Sequence, residues 1–493
     1  MTPLLDISGE TALLLALIVP LAGIPFIVLA HRWPNIREAA TLATAGALFL
    51  VVQSLLALFL AGARPELNLY TVLPGLDIEF VIEPLGMLFA IVAATLWIVN
   101  SIYSIGYLRG NDVGKQTRFY AYFALSLAST MAVALSGNMF TLFFAYEMLT
   151  LCTYPLVTHT KTPDALKSGR TYLGLLLGTS VGFQLLAIIW TWSATGTLDF
   201  TEGGILEGRV SITVASILLV LYMYGIGKAA LMPFHRWLPA AMVAPTPVSA
   251  LLHAVAVVKA GVFTVVKVIF YIFGLDFMAQ LPTTDGLAIV AGITIIFASI
   301  IALRQDNLKA RLAYSTVSQL SYVILAAALI SPISVAGAAL HIAAHAVSKI
   351  TLFFAAGSIY TASGKKEISQ LNGVGRRMPI TMTAFAIGAI SLIGLPPTAG
   401  FVSKWYMLQG AMNTEAYYAV AVIVGSTLLN TAYFLPIIYA AFLRQPTEGM
   451  RQPEGEAPLP ILIALSATAL GTILMFFYPD VPLALVRSLT GIQ

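Results

Sequence analysis

Apolar residues recur along this chain in long blocks separated by short polar connections. Windows of about 20 apolar residues suffice to cross a bilayer. Fourteen such windows are present, at roughly 11–30, 39–61, 84–107, 119–136, 138–157, 172–194, 213–240, 246–270, 286–304, 312–331, 333–361, 380–411, 416–443 and 457–478. The seventh, eleventh and twelfth are longer than a span needs, which suits broken or steeply tilted helices. The pattern therefore predicts an all-α polytopic membrane protein of about fourteen transmembrane helices, and the prolines Pro233, Pro396 and Pro397 in the seventh and twelfth spans predict breaks there. It divides into an N-terminal three-helix segment (1–118), two five-helix units (119–285, spans 4–8, and 286–443, spans 9–13) and a C-terminal helix (444–493). An odd number of helices per unit puts the two units in opposite orientation, the inverted-repeat arrangement of transporters.

Composition agrees with this division. Of 493 residues 59% are hydrophobic and only 10% charged, with a mean hydropathy of +0.89, against roughly 25% charged in globular chains. The single cysteine, Cys152, offers neither a disulfide framework nor a cysteine metal site. A net charge of +4 does not suggest nucleic acid. Asp6 and Glu10 stand where a cleaved signal would carry basic residues, so insertion is expected to rely on the first span. Basic residues sort by side. Alternate connections, from Arg32 and Arg37 after the first span to Arg444 and Arg451 after the thirteenth, hold 18 of the 26 Lys and Arg residues. The opposite side holds Arg64, Arg209 and Arg487, together with acids such as Asp77, Glu79 and Glu83. By the positive-inside rule this asymmetry predicts a protein of the cytoplasmic membrane with both termini on the non-cytoplasmic side.

What changes the picture is the small set of ionisable groups stranded at bilayer depth. Among the 22 acids only Glu147 sits mid-span; Lys228, Lys259, Lys349 and Lys404 are deep amines, with His253, His341 and His345 beside them. Lys267 is near the end of its span and is expected to snorkel to the interface. A lysine at membrane depth costs a few kcal/mol (~2.5–3.5) even on lenient insertion scales, so such a set points to an ion or proton route.

Glu147 has no charged neighbour within ten residues, so its partner must come from another helix; Lys228 is the candidate, and a static structural ion pair is the alternative. Lys228 lies eight residues before Arg236, about 12 Å at helical rise, with Gly225, Gly227 and Pro233 around it. These residues predict a helix break whose freed carbonyls can solvate an ammonium; a snorkelling lysine is the plainer reading. Lys259 and His253 are six residues apart and do not share a helix face, and a satisfied core histidine is the plainer reading of His253. His341, His345 and Lys349, spaced i, i+4, i+8, form one stripe suited to a proton relay. Lys404 follows Pro396, Pro397 and Gly400, the lysine-and-break order of the seventh span reversed. No metal is expected, because no Glu or Asp sits where H-E-x-x-H chemistry needs it. Nucleotide loops, dinucleotide glycine patterns, triads and flavin motifs are missing from the sequence, so no cofactor is expected, nor redox catalysis by the chain alone.

Four ordered stretches carry a resemblance: MPFHRWLPAAMVAPTPVSALLHAVAVVKAG, DNLKARLAYSTVSQLSY, HIAAHAVSKITLFF and GLPPTAGFVSK. They resemble the antiporter-like subunits, the proton-pumping membrane subunits of respiratory complex I and the large subunits of Mrp-type multisubunit cation/proton antiporters. The likeness covers roughly residues 80–440. It implies fourteen helices in inverted five-helix repeats with broken seventh and twelfth helices. It also places the family's fifth-helix glutamate on Glu147, its seventh- and eighth-helix lysines on Lys228 and Lys259, its eleventh-helix polar stripe on His341, His345 and Lys349, and its twelfth-helix ionisable residue on Lys404. The use of lysine for both Lys259 and Lys404 is similar to the D-type member of the Mrp antiporters and to the smallest complex I antiporter-like subunit. Gln319, Ala240 and Met242 depart from residues common in complex I chains. The resemblance implies a subunit of a Na+/proton antiporter, working with other membrane subunits on protons and Na+. The alternative is a proton-pumping subunit of an NADH:quinone oxidoreductase or membrane-bound hydrogenase, and a third reading is a stand-alone solute carrier.

Overall fold

The computed structural model describes residues 5, 7–446 and 453–492, so Asp6 and Arg451 lie outside the described residues. The first three helices are α1 (Gly9–Leu29), α2 (Pro34–Leu60) and α3 (Pro84–Gly110). The first unit follows as α4 (Gln116–Ala134), α5 (Met139–Val157), α6 (Pro163–Thr195), α7 (Ile212–Gly225) and α8 (Thr246–Phe273). The second comprises α9 (Pro282–Arg304), α10 (Leu308–Ala328), α11 (Pro332–Ser363), α12 (Pro379–Ile393), α13 (Ala399–Asn413) and α14 (Tyr417–Leu443). α15 (Leu459–Phe477) and α16 (Asp480–Thr490) close the chain.

Each of the fourteen predicted windows coincides with one of these helices or with a broken pair. Ten helices among the described residues are long and apolar enough to cross a membrane. α4 and α10 are of similar length but carry rows of Ser, Thr and Gln that neighbouring helices cover. The eleventh span is one continuous 32-residue helix, so its length reflects no break.

The breaks fall at the prolines. α7 stops at Gly225, a turn over Gly227–Ala229 follows, and Ala230 takes a left-handed conformation (φ 54°) ahead of Pro233. The interruption exposes carbonyls that lipid cannot satisfy; Trp237 Nε1 donates to Gly227 O at 3.0 Å. α12 ends at Ile393, and Pro396 and Pro397 separate it from α13, which together make the twelfth span.

α8 and α11 form the centre, 94% buried in their apolar windows, whereas α1, α14 and α15 are only 33% buried there. α11 packs along α13, α12 and α10, and α8 touches α10 and α11. The helices that carry most of the deep polar groups are thus the ones shielded from lipid.

One element was not predicted. β1 (Glu66–Leu73) and β2 (Leu76–Val81) pair antiparallel over α1 and α5. Pro74 and Gly75 join them, with Gly75 at φ 79°, the positive-φ position for which a type II turn favours glycine.

Candidate functional site

The seventh-span break places Lys228 in the interior, fully buried. Its ammonium does not use the carbonyls of its own break. It crosses to α5, donating to Tyr146 O at 2.7 Å and Thr150 Oγ1 at 2.5 Å, with the Tyr146 ring centroid 3.1 Å away. The Tyr146 hydroxyl accepts from Lys228 N at 3.0 Å. Glu147 is next in sequence to Tyr146, but its carboxylate oxygens are buried without a hydrogen-bond partner among the described residues. The Glu147–Lys228 pair is therefore open in this structure: Lys228 is committed to a carbonyl and a hydroxyl. Glu147 shares its stretch of α5 with the exposed side chains Phe144, Met148 and Leu151.

α8 brings Lys259 beside α11, where its Nζ lies 2.5 Å from His345 Nδ1. Both residues are at most 1% exposed. On another side of α8, Gly261 permits close approach to the seventh-span break, because a Cβ there would meet Ala229 N and the Lys228 carbonyl carbon, each 2.3 Å away. The broken span and α8 thus touch backbone to backbone between the two lysines. His253 points elsewhere, as six-residue spacing implies: its Nδ1 is 3.2 Å from Thr316 Oγ1 on α10, and its ring centroid is 4.8 Å from that of Phe353.

Along α11 the imidazoles of His341 and His345 are 5.9 Å apart between centroids. His341 bridges two helices, with Nδ1 2.9 Å from Ser403 Oγ and Nε2 3.0 Å from Gln319 Oε1. Lys349 reaches across to α10, donating to Ser315 Oγ at 2.6 Å and Leu312 O at 3.3 Å. At the second break the freed carbonyls do hold an ammonium: Lys404 Nζ donates to Leu392 O (2.8 Å) and Ile393 O (3.0 Å), 4.7 Å from the Tyr322 ring centroid. The last carbonyls of a helix carry the negative end of its dipole, which suits a cation.

Lys228, Lys259, His253, His341, His345, Lys349 and Lys404 are thus all buried; of these only Lys259 and His345 touch each other through a hydrogen bond, and the others are held by separate carbonyl, hydroxyl or amide partners. Sequence reasoning missed the neutral partners Thr150, Ser315, Thr316 and Ser403. Hydroxyls are common in apolar helices, where most bond their own i−4 carbonyl, so nothing in the sequence singles these four out.

Lys267 corrects an expectation. It does not snorkel: it is fully buried, its Nζ 2.6 Å from Glu83 Oε1, donating to Ser136 O at 2.8 Å and 3.7 Å from the Phe200 ring centroid. Snorkelling needs a lipid-facing surface, and α8 has almost none.

Comparison with known proteins decides the family. The family described as NADH:quinone oxidoreductase/Mrp antiporter, transmembrane, matches residues 136–430. The chain belongs to this family. It is 34% identical over 392 residues to NADH-quinone oxidoreductase subunit N of Desulforudis audaxviator, covering 79% of this chain and 76% of that protein. It is 32% identical over 420 residues to chloroplastic NAD(P)H-quinone oxidoreductase subunit 5 of Arabidopsis thaliana. That match takes in 80% of this chain and 53% of the relative, so the chain spans about half the length of the chloroplast proteins. Two solved structures share its fold over 98% of the chain. One is an archaeal membrane-bound sulfane sulfur reductase (TM-score 0.86, 25% identity) and the other an Mrp complex from a Dietzia species (TM-score 0.87, 20% identity). As a member of the NADH:quinone oxidoreductase/Mrp antiporter family, the chain is an antiporter-like, multi-pass membrane subunit.

Proposed function

We propose that this chain is the proton-translocating subunit of a multisubunit monovalent cation (Na+)/proton antiporter in the cytoplasmic membrane. Its protons move along Glu147, Lys228, Lys259, His253, His341, His345, Lys349 and Lys404. The observation that carries this reading is the direct contact between Lys259 and His345, flanked by lysines in both broken spans. Lys259 and His345 come from different helices and meet directly, and His341 lies beside His345 on α11 with ring centroids 5.9 Å apart.

The open Glu147–Lys228 pair suggests how the relay is driven. When Lys228 returns to Glu147, its charge leaves the neighbourhood of Lys259 and the proton affinity of Lys259 rises. Two unit charges ~10 Å apart at an effective dielectric of ~20 interact by ~1.7 kcal/mol, which exceeds one pKa unit. Glu147 lies beside the exposed face of α5, where the charge state of an adjacent subunit can act on it. The chain divides into the three-helix segment 1–118, the inverted units 119–285 and 286–443, and the C-terminal 444–493. In support, the two breaks fall late in their units, at Pro233 and at Pro396–Pro397, with the lysine before one and after the other. Both termini lie on the non-cytoplasmic side by the charge asymmetry of the loops.

A second reading has its own support, since the curated relatives named above are quinone oxidoreductase subunits. There the same route is driven by electron transfer elsewhere in the complex. Expression of the full set of neighbouring genes in antiporter-deficient cells separates the two. Under the first reading, vesicles exchange Na+ for protons in response to an imposed pH gradient, and Lys228→Ala abolishes the exchange with assembly intact. Proton movement that requires a reductant, with redox subunits copurifying, supports the second. Unimpaired exchange in an assembled Lys228→Ala complex sinks both.

A further inference from the structure

On the side that bears the basic connections, a cavity of about 490 Å³ lies between the end of α3, the starts of α8 and α10, and the end of α11. Lys309, Lys365 and Lys366 line it, and among the described residues no aspartate or glutamate does. None of the three ammoniums has a counter-charge there. Lys309 Nζ donates to Ala244 O at 2.6 Å, and Lys366 Nζ lies 5.0 Å from the Tyr360 ring centroid. Lys365 is the informative one: it is only 8% exposed, and its Nζ has no partner among the described residues. The acids adjacent in sequence are engaged elsewhere or exposed. Glu367 accepts from Asn307 Nδ2 at 3.1 Å and caps the turn Ile368–Gln370; Asp306 accepts from Ser369 N and Oγ; Asp112 is exposed.

A buried ammonium without partner or counter-ion is disfavoured, and such groups are retained where something compensates them. An anion in the cavity would supply that compensation to all three ammoniums at once. Both α8 and α10 begin at the cavity, so their positive dipole ends add to the lysine field. Met242, Val243 and Leu371 supply apolar walls, and the volume accommodates a headgroup but not a lipid tail.

We propose that this cavity binds a phosphate-bearing anion through Lys309, Lys365 and Lys366, supplied either as the headgroup of an acidic phospholipid or as free phosphate. The site communicates with the polar route through α10. Lys309 precedes Leu312 and Ser315, which hold Lys349, and Thr316, which contacts His253. An anion on Lys309 therefore places negative charge one to two helical turns from two stations of the route.

The test uses the intact complex, freed of lipid in a neutral detergent. Phosphatidylglycerol is added and counted by native mass spectrometry, and inorganic phosphate is titrated separately by thermal shift. Retained phosphatidylglycerol without a phosphate-induced shift identifies the lipid source; a saturable shift identifies free phosphate. In either case Lys365→Gln weakens binding by about tenfold or more, as expected for the loss of one charge-assisted contact. In ligand-free detergent the same variant melts no lower than wild type, because it removes an unpaired buried charge. Lys366→Gln, at an exposed position, provides a second variant with a smaller loss of affinity. Wild type that binds neither probe, or variants that bind as wild type does, overturn the proposal.

Discussion

Lys259 Nζ and His345 Nδ1 are 2.5 Å apart in a region closed to solvent, and they come from helices whose sequence positions differ by 86. One proton between an amine and an imidazole can be held by either, so the two groups act as one station. Removing the basic atom on either side should interrupt it. Lys259→Met and His345→Leu are each expected to lower proton flux through the assembled complex by more than about tenfold, ~1.4 kcal/mol of barrier. The double variant should be no worse than the more severe single one. Acridine-orange dequenching in inverted vesicles measures this, and additive losses would mean that the two groups work independently.

The Lys267–Glu83 pair ties α8 to the residue before α3, near the hairpin, and its ammonium is wholly removed from water. Glu83→Gln leaves that charge without its counter-ion, which costs ~3–5 kcal/mol in comparable buried pairs. The melting temperature in detergent should fall markedly. Replacing both partners, Glu83→Gln with Lys267→Met, should recover most of the loss, and failure to recover would assign the pair a role beyond stability.

At Gly261 a methyl group has no room against the backbone of Lys228 and Ala229. Gly261→Ala should force α8 away from the broken span at a cost of ~1–3 kcal/mol. Because the separation falls between Lys228 and Lys259, transport should fall more than the change in melting temperature accounts for. Equal falls in both measurements would reduce Gly261 to a packing position.

His159, in the connection after α5, is buried, with Nε2 3.0 Å from Gly114 O and Arg118 close to Nδ1. Burial first, then Arg118 and Lys115, lower its imidazole below the ordinary histidine range, against the Gly114 carbonyl, which raises it. The neutral form is thus favoured by folding. Its contribution to stability is complete above the unfolded value of ~6.5 and is lost as pH falls from there through the folded value. Melting temperature should therefore drop on acidification below pH ~6.5, and His159→Gln should flatten that part of the profile. An unchanged slope would show that other groups govern it.

Sequence alone determined the span count, the two breaks and the identity of the deep ionisable residues. The reason is energetic: lipid penalises each unsatisfied polar group, so every charge or proline at depth must have a purpose and stands out against an apolar background. The same logic failed where the environment was protein rather than lipid. Lys267 sits close enough to a span end to snorkel, and only the packing of α8 inside the bundle forces it onto Glu83. The hairpin was written in the Pro74–Gly75 turn between alternating residues, but short strands outside the bilayer carry a weak signal. Pairing was decided by the tertiary structure alone. That Lys228 turns to Tyr146 and Thr150 rather than Glu147, that Lys259 meets His345, and that Lys404 uses the carbonyls of its own break all depend on which helix faces cross. A single chain specifies the period of those faces and not their partners.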